Sequence, residues 1–217
     1  MNLIVFDIDG TLIRYHPKRN DRAYVRAVKE IFDVEIKDSW DGYKTSTDSG
    51  ILSEILGRSP EESEIKDFKI CMSGFLAEEY SSPPFEAMRG AREFLASLGN
   101  FPLWQGALGT GNWTFSAQFK LKSAGFELSH LPMGSADDSH YREQVLAAAK
   151  NRALQSTGIS QFDRIIYVGD WIWDVQAARA LGWDFIGIGM GRDREALEKA
   201  GAKIVLEHFE GLERFLG

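Results

Sequence analysis

The chain has 217 residues, 44% of them hydrophobic and 26% charged, the balance of a soluble globular protein long enough for one large domain or a domain with a smaller insertion. A formal net charge of −7 leaves no basic surplus for a phosphate backbone and argues against DNA or RNA as a partner. No apolar run approaches the ~20 residues of a membrane span, the single Cys71 can form no internal disulfide and reads as a small core residue, and a strand starting at Leu3 leaves no room for a signal peptide, so a cytoplasmic protein is expected.

Leu3-Ile4-Val5-Phe6 reads as a strand buried on both faces, as in a parallel sheet covered by helices. It runs into Asp7-Ile8-Asp9-Gly10-Thr11-Leu12, and strand period puts Asp7 and Asp9 on one side at the strand's carboxyl end. From about Arg14 to Met88 the apolar positions recur at helical spacing. Asp21 is a cap for Arg22 to Phe32. Asp48 is a cap for a short helix carrying Ile51, Leu52, Ile55 and Leu56, and Ser59-Pro60-Glu61-Glu62 is a capping box for a helix through Leu76. Ser81-Ser82-Pro83-Pro84 breaks the chain. Residues 14–88 thus form an all-helical insert, and residues 1–13 and 89–217 form an α/β core.

In the core, helix and strand alternate. A helix is expected at Gly90 to Leu98 and a strand at Leu103 to Gly109. The glycine-rich turn Gly109-Thr110-Gly111-Asn112 follows, with Asn112 capping a helix through Leu121. Further on come a short strand at Leu128 to Met133, a helix at Arg142 to Leu154, a buried strand at Arg164 to Val168 ending in Gly169-Asp170, and a helix from Val175 to Leu181. A strand at Asp184 to Ile188, a helix at about Arg194 to Lys199, a strand at Lys203 to Leu206 and a short C-terminal helix complete the chain. This alternation specifies a Rossmann-like parallel sheet with helices on both faces.

In such a sheet all C-terminal strand ends open on one edge, where ligands bind. Asp7 and Asp9, Thr110 with its flanking glycines, and Asp170 and Asp174 can therefore converge from distant parts of the sequence. Asp9-Gly10 alone is an ordinary turn, and Asp174 alone an ordinary helix N-terminal acid. Four carboxylates at one edge, however, need a neutralising cation, and oxygen ligands without a His or Cys cluster point to Mg²⁺ rather than zinc. The backbone N–H groups at Thr110 and Gly111 favour an anion. A phosphoryl group there also needs a positive side chain, which Arg142 or, two turns further along the same helix, Lys150 can supply.

Asp7-Ile8-Asp9-Gly10-Thr11-Leu12, Leu108-Gly109-Thr110-Gly111-Asn112 and Gly169-Asp170-Trp171-Ile172-Trp173-Asp174 resemble, in order, the motifs of the haloacid dehalogenase-like (HAD) hydrolase superfamily. The resemblance extends over nearly the whole chain, the helical insert looking like the family's cap. It implies that Asp7 is the nucleophile that becomes an aspartyl-phosphate and that Asp9 protonates the leaving oxygen and then activates water. It implies that Thr110 and Gly111 bind the phosphoryl oxygens, and that Asp7, Asp170 and the Asp9 carbonyl hold Mg²⁺ with Asp174 nearby. Two positions depart from the family pattern. Arg142 is the nearest cation to the usual lysine, with Lys150 in reserve, and Trp171 replaces a small hydroxyl residue. Tyr43 to Asp48 resembles a cap segment of phosphoglycolate phosphatase-like members, without its usual glycine.

The expected activity is therefore Mg²⁺-dependent hydrolysis of a small phosphorylated metabolite. A sugar-phosphate mutase using the same intermediate and a non-catalytic phospho-acceptor module are the alternatives. Gly187-Ile188-Gly189-Met190-Gly191 does not have the spacing of a dinucleotide-binding loop.

Overall fold

In the computed structural model, which describes residues 1–37, 40, 42–81 and 84–217 (only the backbone at 17–20), β1 (Asn2–Phe6) runs through the middle of the sheet. Leu3 and Val5 pack with Leu146, Ala149, Ala177 and Ala178 on one face. Ile4 and Phe6 pack with Phe94, Leu108 and Phe209 on the other. A strand apolar on both faces fits only between two layers of helices, and this one does so.

β2 (Trp104–Gly109) and β4 (Ile165–Gly169) flank β1, with β3 (Met133–Gly134) outside β2 and β5 (Asp184–Ile188) and β6 (Val205–Leu206) outside β4. Among the described residues these strands form one parallel six-stranded sheet in the order β3-β2-β1-β4-β5-β6. The order reverses direction at β1, the topological switch point of such sheets. Phe6 pairs with Leu108 on one side and Val168 on the other, so Asp7, Thr110 and Asp170 all emerge at the same edge.

The connecting helices are α4 (Ala91–Ser97), α5 (Thr114–Ser123), α6 (Arg142–Thr157), α7 (Ile172–Leu181) and α8 (Gly191–Ala200), with 3₁₀ turns at Leu98–Asn100 and Leu212–Phe215. Most differ from their expected bounds by a few residues at the ends. The strand expected at Leu128 to Met133 is shorter, because Leu131 N–H turns back onto the Leu128 carbonyl at 3.0 Å.

Between β1 and α4 lie α1 (Pro17–Phe32), α2 (Asp48–Leu56) and α3 (Glu62–Glu79). Tyr24 and Phe32 of α1 meet the Phe68 ring of α3 at 5.1 and 6.1 Å. The chain enters and leaves this insert side by side, as Met88 N–H donates to the Leu12 carbonyl and Arg14 N–H to the Glu86 carbonyl, each at 2.8 Å.

The expected caps of the insert are wrong. α1 starts at Pro17, whose missing N–H costs nothing in a first turn, so Asp21 lies inside the helix. Thr47 caps α2, its hydroxyl accepting from Gly50 N–H at 3.2 Å, because the Asp48 carboxylate is engaged elsewhere. The capping box of α3 uses Glu61 and Glu64 rather than Ser59 and Glu62. Of the expected break at Ser81 to Pro84, Ser82 and Pro83 lie outside the described residues. No helix among the described residues is long and apolar enough to cross a membrane.

Candidate active site

Asp7 follows the last residue of β1, and its N–H donates to the Val168 carbonyl at 2.9 Å. Its side chain is buried, and its Oδ1 accepts from Arg142 Nη1 at 3.0 Å. Arg142 opens α6 and also stands 3.7 Å from Asp174 Oδ1, while its buried Nε makes no hydrogen bond. Lys150, two turns further along α6, is not among the side chains that line the cleft.

Asp174 lies in the first turn of α7, fully buried, accepting from the Tyr167 hydroxyl at 2.8 Å and the Trp171 N–H at 3.1 Å. Asp170 accepts from the Thr11 hydroxyl at 3.2 Å. One carboxylate oxygen from each of Asp7, Asp170 and Asp174 lies within 4.8 Å of the others.

Charges this close repel one another, and burial away from water disfavours the charged form of Asp7 and Asp170. Burial pushes Asp7 up to about 8; Arg142 opposes the rise, and Asp174 and Asp9 add to it. Burial likewise holds Asp170 well above the carboxylate range, helped by the charges of Asp7 and Asp174. A divalent cation among the three would remove this penalty. The donor set is carboxylate oxygen without imidazole or thiolate, which fits a hard cation of the Mg²⁺ type.

Asp9 is not in this cluster. Strand alternation was expected to put it on Asp7's side, but β1 ends at Phe6. The chain then closes a turn in which the Ile8 carbonyl accepts from the N–H groups of Thr11, Leu12 and Ile13. Asp9 Oδ2 instead accepts from Asn112 Nδ2 at 2.7 Å and pairs with the ammonium of Lys120. Asn112 is therefore not a helix cap: Trp113 holds that position, and the Asn112 amide also donates to Thr110 Oγ1 at 2.8 Å. The Thr110 side chain is buried beside it, and Gly111 lines the same cleft.

Lys120 went unnoticed in the sequence. It lies on α5 between Phe119 and Leu121, and the buried face of that helix is Ser116, Ala117, Lys120 and Leu121. That face mixes polar with apolar side chains, so no apolar periodicity along α5 marks Lys120 as buried.

The cleft, about 350 Å³, is lined on one side by residues of the insert, among them Asp21, Trp40 and Asp48. Asp48 N–H donates to the Gly111 carbonyl at 2.7 Å, Trp113 N–H donates to Asp48 Oδ2 at 2.8 Å, and the Thr47 hydroxyl donates to the His140 carbonyl at 2.8 Å. Burial raises Asp48 to about 7, against the charge of Lys120 and the bond from Trp113. On α1, Asp21 accepts from the Tyr15 hydroxyl at 2.5 Å and Trp40 Nε1 at 2.7 Å, and burial lifts it to about 6. Trp40 lines the cleft with these groups and Tyr43 does not; Trp171 stands at the rim, partly exposed.

A family model described as haloacid dehalogenase-like hydrolase matches residues 1–182. No curated protein matches the chain significantly. Among solved structures, a hydrolase from Pseudomonas syringae is 22% identical with a TM-score of 0.71, over 100% of this chain and 98% of the other. CbbY from Rhodobacter sphaeroides in complex with phosphate is 17% identical with a TM-score of 0.70, over 97% and 95%. A predicted phosphoglycolate phosphatase from Haemophilus somnus is 18% identical with a TM-score of 0.64, over 99% and 97%. These identities establish a shared fold.

Proposed function

The chain belongs to the haloacid dehalogenase-like hydrolases, and from that premise we propose that it is a Mg²⁺-dependent phosphatase of small phosphorylated metabolites, with Asp7 as nucleophile. One observation carries the reading: Asp7 is buried at the switch point of the sheet with Arg142 at 3.0 Å and the carboxylates of Asp170 and Asp174 within 4.8 Å. A carboxylate held so has a cation-binding side and a phosphate-binding side at once. The neighbour in complex with phosphate and the one described as a phosphoglycolate phosphatase support the substrate class.

In the first step an Asp7 oxygen attacks phosphorus. The O–P bond to the protein forms, the bond to the leaving oxygen breaks, and Asp9 gives that oxygen its proton. In the second step Asp9 takes a proton from water, whose oxygen attacks phosphorus. The Asp7–phosphorus bond breaks, and inorganic phosphate leaves. Arg142, Thr110 and the Gly111 backbone bind the phosphoryl oxygens, with charge-matched donors aimed where charge collects. Asp7, Asp170, Asp174 and the Asp9 carbonyl would hold Mg²⁺, which supplies neutralisation of the phosphoryl charge. The helical insert acts as the cap, excluding bulk water from the intermediate.

The test is release of inorganic phosphate from p-nitrophenyl phosphate and from a panel of phosphorylated metabolites, with Mg²⁺ and with chelator. Wild type turns over only with the metal, and Asp7→Asn keeps its fold but loses at least about 10³-fold in kcat. Normal turnover in Asp7→Asn rules out the nucleophile. Phosphate moved within a substrate and never released means a mutase instead.

A further inference from the structure

A lysine loses hydration when it is buried and stays only where anions compensate it. The Lys120 side chain is 4% exposed. Its ammonium pairs with Asp9 Oδ2 and donates to Asn112 Oδ1 at 2.6 Å, and Asn112 Nδ2 donates to that same Asp9 oxygen at 2.7 Å. Lys120, Asn112 and Asp9 thus close a ring, and the ring fixes which end of the Asn112 amide carries oxygen. Arg142 reaches Asp7 from α6, on the opposite face of the sheet from α5, so the two cations serve different carboxylates.

We propose that Lys120 is a positioning residue for proton transfer: together with Asn112 it holds the Asp9 carboxylate in the geometry from which Asp9 protonates the leaving oxygen. The proposal rests on the phosphatase reading above. Proton transfer needs a heavy-atom approach of roughly 2.6–3.2 Å. Asp9 lies just after β1, bridged to Ile13. Two donors on one of its carboxylate oxygens, one of them charged and buried, favour a single orientation of that carboxylate. Lys120 and Asp9 both line the cleft where a leaving group would lie.

The experiment compares two aryl esters that differ chiefly in leaving-group basicity, phenyl phosphate and p-nitrophenyl phosphate. Nitrophenolate departs without a proton, whereas phenolate, a base with a pKa of about 10 by analogy with tyrosine, gains from one. Lys120→Met and Lys120→Gln are expected to lower kcat/KM for phenyl phosphate by about 10-fold or more and for p-nitrophenyl phosphate by about threefold or less, the loss falling on kcat and not on KM. Adding Lys120→Met to Asp9→Asn then costs nothing further, since both act on one group. Equal losses on the two esters, or a further loss in the double variant, overturn the proposal. If Lys120→Met fails to fold, Lys120→Gln, which keeps a donor toward Asn112, carries the comparison. A wild type without Mg²⁺-dependent turnover of either ester instead overturns the phosphatase reading, and the role of Lys120 with it.

Discussion

Gly10 has a φ of +80°, and a methyl group built on it would lie 1.9 Å from Asp170 Oδ2. The glycine is therefore required twice, once by the left-handed backbone and once by the carboxylate beside it. Gly10→Ala is expected to displace Asp170 from the carboxylate cluster and to weaken Mg²⁺ binding by about 10- to 100-fold, the range seen when a ligand's support is removed. Calorimetric titration with Mg²⁺ measures this directly, and an unchanged affinity would show that Asp170 is not a ligand. Asp7 and Asp170 could be brought together from the sequence because the carboxyl ends of parallel strands open on one edge. Lys120 was not, because a lone lysine in a helix with no clear apolar stripe has no signature until its partners are placed.

At the scale of elements, the insert meets the core through the segment leading into α2. Gly111 lies so close under it that an added methyl would stand 2.3 Å from the Ser46 carbonyl oxygen and 3.4 Å from Arg142 Cζ. Gly111→Ala is expected to lift that segment and lengthen the bond between Asp48 N–H and the Gly111 carbonyl. The resulting strain, on the order of 1–3 kcal/mol, favours an open insert. KM should rise by about 10-fold, and limited proteolysis should cut the insert faster than in wild type. Unchanged KM and protease resistance would mean that closure does not contribute to substrate binding. The helices of the insert were readable from their apolar spacing. Their caps were not, because Asp48 and Asp21 turn their carboxylates to the Trp113 N–H and to Tyr15 and Trp40, contacts made across the tertiary structure.

For the molecule as a whole, the buried carboxyls make stability depend on pH. Burial raises Asp7 to about 8 and Asp48 to about 7, and lifts Asp170 well above its ordinary value. The folded chain then holds more protons than the unfolded chain above pH ~4, so metal-free stability falls as pH rises from about 4 to about 8. Mg²⁺ bound as proposed would favour the ionised forms of Asp7 and Asp170 and is expected to flatten that fall. At a hundredfold excess over Kd it adds about 2.7 kcal/mol, which raises Tm by roughly 5–10 °C in a chain of this size. Thermal melts at pH 5 and pH 8, with Mg²⁺ and with chelator, test this. A chelated protein that melts higher at pH 8 than at pH 5 would contradict it.

The sequence by itself determined the α/β class and the sheet edge at which the strands' carboxyl ends open. These follow from local periodicity and from the rule that parallel strands end together. Only the tertiary structure decided which cation meets which carboxylate. Arg142 reaches Asp7 because α6 packs on one face of the sheet, and Lys120 reaches Asp9 because α5 packs on the other. Such pairings depend on the packing of helices far apart in sequence, and no spacing along the chain encodes the distance between them.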